Sequence, residues 1–135
     1  MNLAKLFSRN NRPPQLTASE YLELIIKNDE ALQLFQTFLK KEFSTENLAA
    51  FITLRRFTYQ GSCSPIFRHT FFNEFLSPAA STPLNLSSLS AVSTPHQLDA
   101  PQFDRIEHDI VMNLLDSWSR FCLTPEGKRA IRLLS

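Results

Sequence analysis

The amino-acid sequence predicts one all-α domain, and three observations lead to this prediction. Apolar residues recur at helical spacing along most of the chain. Twelve phenylalanines supply bulky side chains of the kind that pack between helices, whereas the two glycines are too few for a fold with many tight turns. The 135 residues are the length of one domain and are enough to bury a hydrophobic core without disulfides or metals.

The composition argues against several classes of function. A net charge of +1 gives no overall field that would attract nucleic acid. The two cysteines, Cys63 and Cys122, are too few for a disulfide framework, and we expect two reduced thiols in a cytoplasmic protein. Two glycines cannot build a phosphate-binding loop, and no histidine has metal-ligand spacing with a cysteine. We therefore expect no metal, no cofactor and no catalytic machinery, which leaves binding to a partner protein.

Residues 1–16 are expected to be an extension or a first helix ahead of a main domain at 17–134. Residues 1–12 contain three apolar side chains, Leu3, Leu6 and Phe7, among three basic ones, Lys5, Arg9 and Arg12. The apolar stretch is too short for a signal peptide, and no run in the chain is long enough to span a membrane. A weak contact of this segment with a membrane surface stays open. We otherwise expect a cytoplasmic monomer.

Capping residues and apolar faces predict three helices in the first half of the chain. Thr17 and Glu20 have the spacing of a capping box before the first helix, and Asn28 and Asp29 end this helix and can cap the second. Ser44 is a good N-cap for the third helix. Glu46 follows in the first turn, where the helix dipole favours an acid. The apolar face of the second helix comprises Leu32, Phe35, Phe38 and Leu39, and that of the third Leu48, Phe51 and Ile52, followed by Arg55.

A fourth helix and a long loop follow. Ser64 and Pro65 read as N-cap and first helical residue, three phenylalanines recur every four residues behind them, and Pro78 ends the helix. Residues 77–102 contain six serines and four prolines without a strong period. We expect a loop with one short helix, although a disordered linker between two domains is the alternative. The expected apolar anchors of the loop are Leu84, Leu86, Leu89, Val92 and Leu98.

Two more helices are predicted in the last third. Asp99 and Gln102 bracket Pro101 as a start signal. An amphipathic stripe follows, formed by Phe103, Ile106, Ile110 and Leu114. A polar break is expected at Asp116–Ser117, before the core residues Trp118 and Phe121. Thr124 and Pro125 open the last helix, which carries Ile131 and Leu134.

Three segments share their motifs, in the same order, with one known family. They are LFQTFLKKEFSTENLAAF (34–51), FFNEFLSPAASTPLNLSS (71–88) and FDRIEHDIVMNLLDSWSRF (103–121). The first resembles the phenylalanine-rich helix, acidic–aromatic–Ser–x–Glu–Asn turn and following helix of the regulator of G-protein signalling (RGS) domain. The second is similar to that family's fifth helix and the loop after it, and the third to its seventh helix and Asp–Ser–aromatic–x–Arg–Phe end.

The resemblance implies a fold and a function. The family fold is a nine-helix bundle with two lobes, in which three inter-helix segments meet at one end of a four-helix core. The implied function is that of a GTPase-activating protein, which accelerates GTP hydrolysis by a heterotrimeric G-protein α subunit and is not itself an enzyme. The implied partner is the α subunit in its GTP-bound or transition state. The alternative is an RGS-like scaffold that binds a protein without accelerating hydrolysis.

The resemblance also implies a set of residues that bind the G protein. They are Glu42, Phe43, Ser44, Glu46, Asn47, Asn85, Ser88, Met112, Asn113, Asp116, Ser117 and Arg120. By resemblance, Asn85 reaches the catalytic glutamine of the G protein, and Glu46 and Asn47 contact its first switch segment. Asp116, with Ser117 and Arg120, faces the same switch.

Simpler interpretations exist for most of these residues. Helix capping alone explains Ser44 and Glu46, core packing is an alternative for Phe43, and Asn85 suits an ordinary turn. Asp116 and Arg120 have the spacing of a local ion pair.

Two departures from the family pattern are present. Ser87 stands where an aspartate is frequent in the family, and we expect the absence of this carboxylate to loosen the loop. The stretch before Asp116 is one residue short, so that Met112 or Asn113 matches the family's contact leucine.

Overall fold

The computed structural model describes residues 16–58 and 64–135, and over these ranges it is helical and contains no strand. The elements are α1 (Ala18–Ile25), α2 (Asp29–Lys41), α3 (Glu46–Thr58), α4 (Pro65–Phe71), a π-helical turn (Phe72–Leu76), a 3-10 turn (Pro95–Gln97), α5 (Ala100–Phe121) and α6 (Pro125–Leu134). The all-α prediction is confirmed. Six α-helices are seen in the described ranges, so the nine-helix count is not confirmed. The basic segment 1–12 and Cys63 lie outside these ranges.

The predicted helix starts are confirmed at five of the six helices. Thr17 and Glu20 form a reciprocal capping box at α1, with distances of 3.2 and 2.7 Å. The side chains of Asn28, Ser64, Asp99 and Thr124 each accept a hydrogen bond from the backbone N–H three residues later. These contacts satisfy N–H groups that a helix leaves unpaired, and they depend on local sequence alone. The third helix is the exception and is described with the site.

The core lies between α5 and the helices around it. Phe35 of α2 packs on Trp118 and Phe121 of α5, with ring centroids 5.4 and 5.0 Å apart, so the predicted core positions of Trp118 and Phe121 are confirmed. A second aromatic cluster joins α4 and the π-helical turn to Phe103 at the start of α5. Arg55 adds ion pairs from α3 to Glu23 and Glu107. Helix α5 is thereby held from several sides.

Helix α5 runs without interruption through Asp116 and Ser117, so the predicted polar break is wrong. Its 22 residues keep one helical period in which Asp116 is exposed and Ser117 lies on the buried side, with 7% of its surface accessible. No glycine or proline occurs there to end a helix. Two adjacent polar residues are therefore compatible with a continuous helix, because Asp116 faces solvent and Ser117 lies on the side that faces the core.

The long loop, residues 77–102, packs against the helices. Leu98 is fully buried, and Leu84, Leu86 and Val92 pack on the core as predicted. Leu89 is 78% exposed, so its predicted anchoring role is wrong. It lies in a turn at residues 88–90 that is held through the backbone, because Gln102 donates from its side chain to the carbonyls of Leu89 and Ser90.

The π-helical turn fixes the start of this loop. The last carbonyls of a helix lack a partner within it, and here those of Glu74 and Phe75 accept from the loop. Thr82 donates to Glu74 from both its N–H and its hydroxyl, and the N–H of Leu84 donates to Phe75 at 2.9 Å. The loop therefore leaves the helix in one direction, toward α5.

No helix in the described ranges has the length and apolar character needed to cross a bilayer.

Candidate protein-binding site

Three segments that are distant in sequence meet on one surface, which we call the polar patch. It consists of the turn at 42–47, the loop at 84–90 and the face of α5 formed by 109, 112, 113, 116, 117 and 120. Side-chain hydrogen bonds from α5 reach both other segments. The polar patch thus contains every residue that the resemblance assigned to the G-protein face.

The turn after α2 presents Phe43 to solvent in a strained backbone conformation. The N–H of Ser44 donates to the carbonyl of Leu39, and that of Phe43 to the carbonyl of Lys40, which is the Schellman arrangement. This ending requires a left-handed residue, and Phe43 has φ of 54° where glycine is usual. Its ring is 93% exposed. The core-packing alternative for Phe43 is therefore wrong, and an exposed aromatic side chain lies on the rim of the polar patch.

Ser44 does not cap α3, contrary to the prediction. The first helical bond runs from the N–H of Ala49 to the carbonyl of Thr45, so Thr45 occupies the capping position. The N–H of Ser44 closes α2 in the Schellman turn, and α3 begins one residue later than predicted. The hydroxyl of Ser44 is buried and has no hydrogen-bond partner among the described residues. Glu46 lies in the first turn of α3, as predicted.

Asn113 joins the other two segments. Its Nδ2 donates to Oδ1 of Asn47, 66 positions earlier, at 3.2 Å, and to the backbone carbonyl of Asn85, 28 positions earlier, at 3.3 Å. Asn47 is buried, with 6% of its surface accessible, whereas the side chain of Asn85 is exposed. Asn113 is therefore turned toward its neighbours, and Met112 beside it is the exposed residue, at 53%.

Asp109 holds the loop from the side of α5, a role that sequence reasoning missed. Its Oδ2 accepts from the N–H and the hydroxyl of Ser87, each at 3.0 Å. Desolvation alone would raise the pKa of Asp109, but the hydrogen bonds from Ser87 and Ser90 outweigh it and lower the pKa. Ser87 is thus tied to an acid on α5. Ser88, the next residue, is exposed.

Arg120 connects the ends of α5 and α2. It donates to both carboxylate oxygens of Glu42, at 3.0 and 2.9 Å, and to Asp116 at 2.6 Å. The local pair with Asp116 is confirmed, and the bidentate bond to Glu42 adds a partner that sequence spacing did not indicate. The hydroxyl of Ser117 lies 3.4 Å from the same guanidinium. Hydrogen bonding by Arg120 lowers the pKa of Glu42, and both carboxylates raise the pKa of Arg120.

The described part of the chain offers no cluster of three or more His, Cys, Asp or Glu side chains that would hold a metal ion. The three histidines are exposed. Cys122 is a free, partly buried thiol whose pKa is raised by burial. The chemistry of the polar patch is therefore that of amides, carboxylates, a guanidinium and exposed apolar side chains, which suits contact with another protein.

Comparison with known proteins finds relatives of similar sequence. The chain is 31% identical over 128 residues to regulator of G-protein signaling 14 of Rattus norvegicus and, equally, to that of Mus musculus. The alignment covers 88% of this chain but 23% of each relative, so the chain spans about a quarter of the proteins it matches. No family model and no solved structure matches. The chain therefore has a distant, RGS-like similarity to a regulator of G-protein signalling.

Proposed function

We propose that this chain is a GTPase-activating domain of the RGS type that acts on heterotrimeric G-protein α subunits and is not itself an enzyme. The observation that carries the proposal is the convergence of three distant segments in the polar patch, joined by Asn113 and Arg120. The resemblance assigns these same segments to one G-protein-binding face. The similarity to regulator of G-protein signaling 14 gives separate support.

The exposed groups of the polar patch fit a partner that orders the switch segments. A G-protein α subunit carries its own arginine finger and hydrolyses GTP at about 10⁻² s⁻¹. Its rate rises when the catalytic glutamine and the attacking water are held in line. Asn85 presents a free carboxamide for the glutamine, and Asp116 an exposed carboxylate for the first switch, while Phe43 offers an aromatic contact. No acid or base from this chain is needed.

The energy required is modest. A hundredfold acceleration corresponds to about 2.7 kcal/mol of binding that is stronger in the transition state than in the ground state. A few hydrogen bonds to the switch segments supply this amount. Arg120 is already bound to Glu42 and Asp116, so it is not available as an inserted arginine finger. We therefore infer that activation works through positioning of groups that belong to the G protein.

Single-turnover hydrolysis of GTP on a panel of purified α subunits tests the proposal. We expect faster hydrolysis by at least one α subunit when the protein is added. We also expect the protein to bind most tightly to the α subunit carrying GDP with a planar fluoride mimic of the transferring phosphoryl group. The non-hydrolysable GTP form should bind less tightly, and the GDP form least. Equal affinity for all three forms would exclude activation and leave the scaffold alternative.

A further inference from the structure

The segment 85–87 of the loop is fixed at three successive residues. The backbone carbonyl of Asn85 accepts from Asn113, Leu86 packs on the core, and the N–H and hydroxyl of Ser87 donate to Asp109. The two outer contacts come from one helix. These contacts leave the exposed side chain of Asn85 accessible to a partner.

Asp109 and Asn113 of α5 have the spacing needed to bond Ser87 and Asn85 at the same time. Asp109 and Asn113 are four residues apart, so they lie on the same face of the helix at a separation of about 6 Å along its axis. Two loop residues span at most about 7 Å, so one turn of α5 can hold Asn85 and Ser87 together. The hydrogen-bonding groups of the helix and the loop also match, because Asn113 offers an N–H to the carbonyl of Asn85 and Asp109 offers an acceptor to the N–H of Ser87.

We propose that Asp109 and Asn113 are positioning residues that form a latch, holding the Asn85 loop in its binding conformation before the G protein arrives. This inference rests on the proposed function and names the residues through which α5 acts on Asn85. It also separates Asn113 from the contact residues, because its amide N–H groups point to Asn47 and Asn85 and Met112 faces outward.

The latch makes a kinetic prediction that direct contact does not. A protein whose competent conformation is only partly populated binds with an affinity reduced by that fraction, yet the complex, once formed, is the same. Loss of the latch should therefore raise the protein concentration that gives half-maximal activation and leave the maximal rate unchanged. Loss of Asn85 itself should lower the maximal rate, because its contact is made in the transition state.

The experiment compares Asp109→Ala with Asp104→Ala, a matched loss of an exposed carboxylate on α5 away from the loop. We expect Asp109→Ala to speed hydrogen exchange at the Ser87 amide of the free protein and to raise the half-maximal concentration on the order of tenfold, equivalent to about 1.4 kcal/mol. Asp104→Ala should change neither. Asn113→Asp, equal in size but without N–H donors, should raise the half-maximal concentration in the same way.

A charge exchange provides a second, independent test. Ser87→Asp alone places a carboxylate against Asp109 and should weaken activation, whereas Ser87→Asp combined with Asp109→Ser restores one acid and one hydroxyl and should recover it. Should Asp109→Ala fail to fold, Asp109→Leu, which is close in shape and offers no acceptor, carries the same comparison.

The outcomes distinguish the latch from the proposed function. Unchanged Ser87 exchange in Asp109→Ala, a fall in maximal rate at constant half-maximal concentration, or a double variant no better than Ser87→Asp would each overturn the latch. If the wild-type protein activates no α subunit, the proposed function fails by itself. The exchange measurement needs no G protein, so it then still decides whether Asp109 holds the loop.

Discussion

The guanidinium of Arg120 donates to both carboxylate oxygens of Glu42, 78 positions earlier in the chain. This bidentate bond joins the end of α5 to the end of α2, and the third nitrogen of the same group holds Asp116. Glu42 immediately precedes Phe43, so the ion pair supports the turn that presents the exposed ring. The charge on Glu42 therefore affects the stability of the polar patch.

The first prediction concerns the pH dependence of this contact. The Arg120 hydrogen bond holds the pKa of Glu42 below its usual value of 4.5, so the folded state favours the carboxylate. A carboxyl group with a lowered folded pKa contributes stability above its unfolded pKa and loses that contribution as the pH falls through the folded value. Glu42→Gln should therefore lower the thermal unfolding temperature slightly at pH 7, and the difference should shrink below about pH 4.5. A difference that stays constant down to pH 3 would contradict this reasoning.

The second prediction sets stability against binding at Phe43. Because φ is positive there and the ring has almost no packing to lose, Phe43→Gly should stabilise the fold by about 1 kcal/mol. The same change removes the exposed ring and should weaken binding to a responsive α subunit about tenfold. Denaturant unfolding and calorimetric titration measure the two effects.

Phe43→Ala is the matched control, because alanine removes the ring and keeps the backbone strain. It should weaken binding as much as Phe43→Gly and leave stability nearly unchanged. Full affinity in both variants would show that the ring has no role in docking and that Phe43 is only an exposed residue of the turn.

The third prediction separates Asn85 from Asn47. Asn85→Ala removes an exposed carboxamide, so it should change stability by less than about 0.5 kcal/mol and reduce activation at least tenfold. Asn47, in contrast, is buried and accepts a hydrogen bond from Asn113, so we expect Asn47→Ala to cost about 1–2 kcal/mol. Equal unfolding free energies for the two variants would contradict the assignment.

The fourth prediction concerns the close approach of α6 to the end of α5. A Cβ added to Gly127 would lie 1.8 Å from the carbonyl oxygen of Phe121 and 2.9 Å from the Cα of Cys122. Gly127→Ala should therefore destabilise the fold by about 2–3 kcal/mol in denaturant unfolding, although alanine normally favours a helix. Lys128→Ala, at an exposed neighbouring position of α6, is the control and should cost less than about 0.5 kcal/mol. A neutral Gly127→Ala would mean that the two helices separate easily.

The helices and most of their starts could be predicted from the sequence because the interactions that define them are local. Thr17 bonds three residues ahead, as do Asn28, Ser64, Asp99 and Thr124, so each cap is visible in a short window. Ser44 is the exception, because Thr45 occupies the capping position of α3. The end of α2 and the start of α3 share this short turn, so a window of three or four residues does not settle where α3 begins.

Leu89 shows the limit of hydrophobicity as a guide to burial. Its apolar side chain suggested an anchor, but the turn that contains it is held through backbone carbonyls by Gln102, and the side chain faces solvent. The other apolar residues of the loop are held as predicted. Which one is left outside depends on how the loop crosses the helices, and this is not encoded within the loop alone.

The sequence alone is enough to predict the helical class, most of the capping residues, the phenylalanine-rich core and the segments that resemble the RGS family. Only the folded chain shows which polar residues of those segments act together. Asn113 reaches Asn47 and Asn85, Asp109 reaches Ser87, and Arg120 reaches Glu42, across separations of 22 to 78 positions. Caps and helical faces follow from contacts three or four residues apart, whereas these pairs form only after packing of the core has brought α5 beside α2, α3 and the loop.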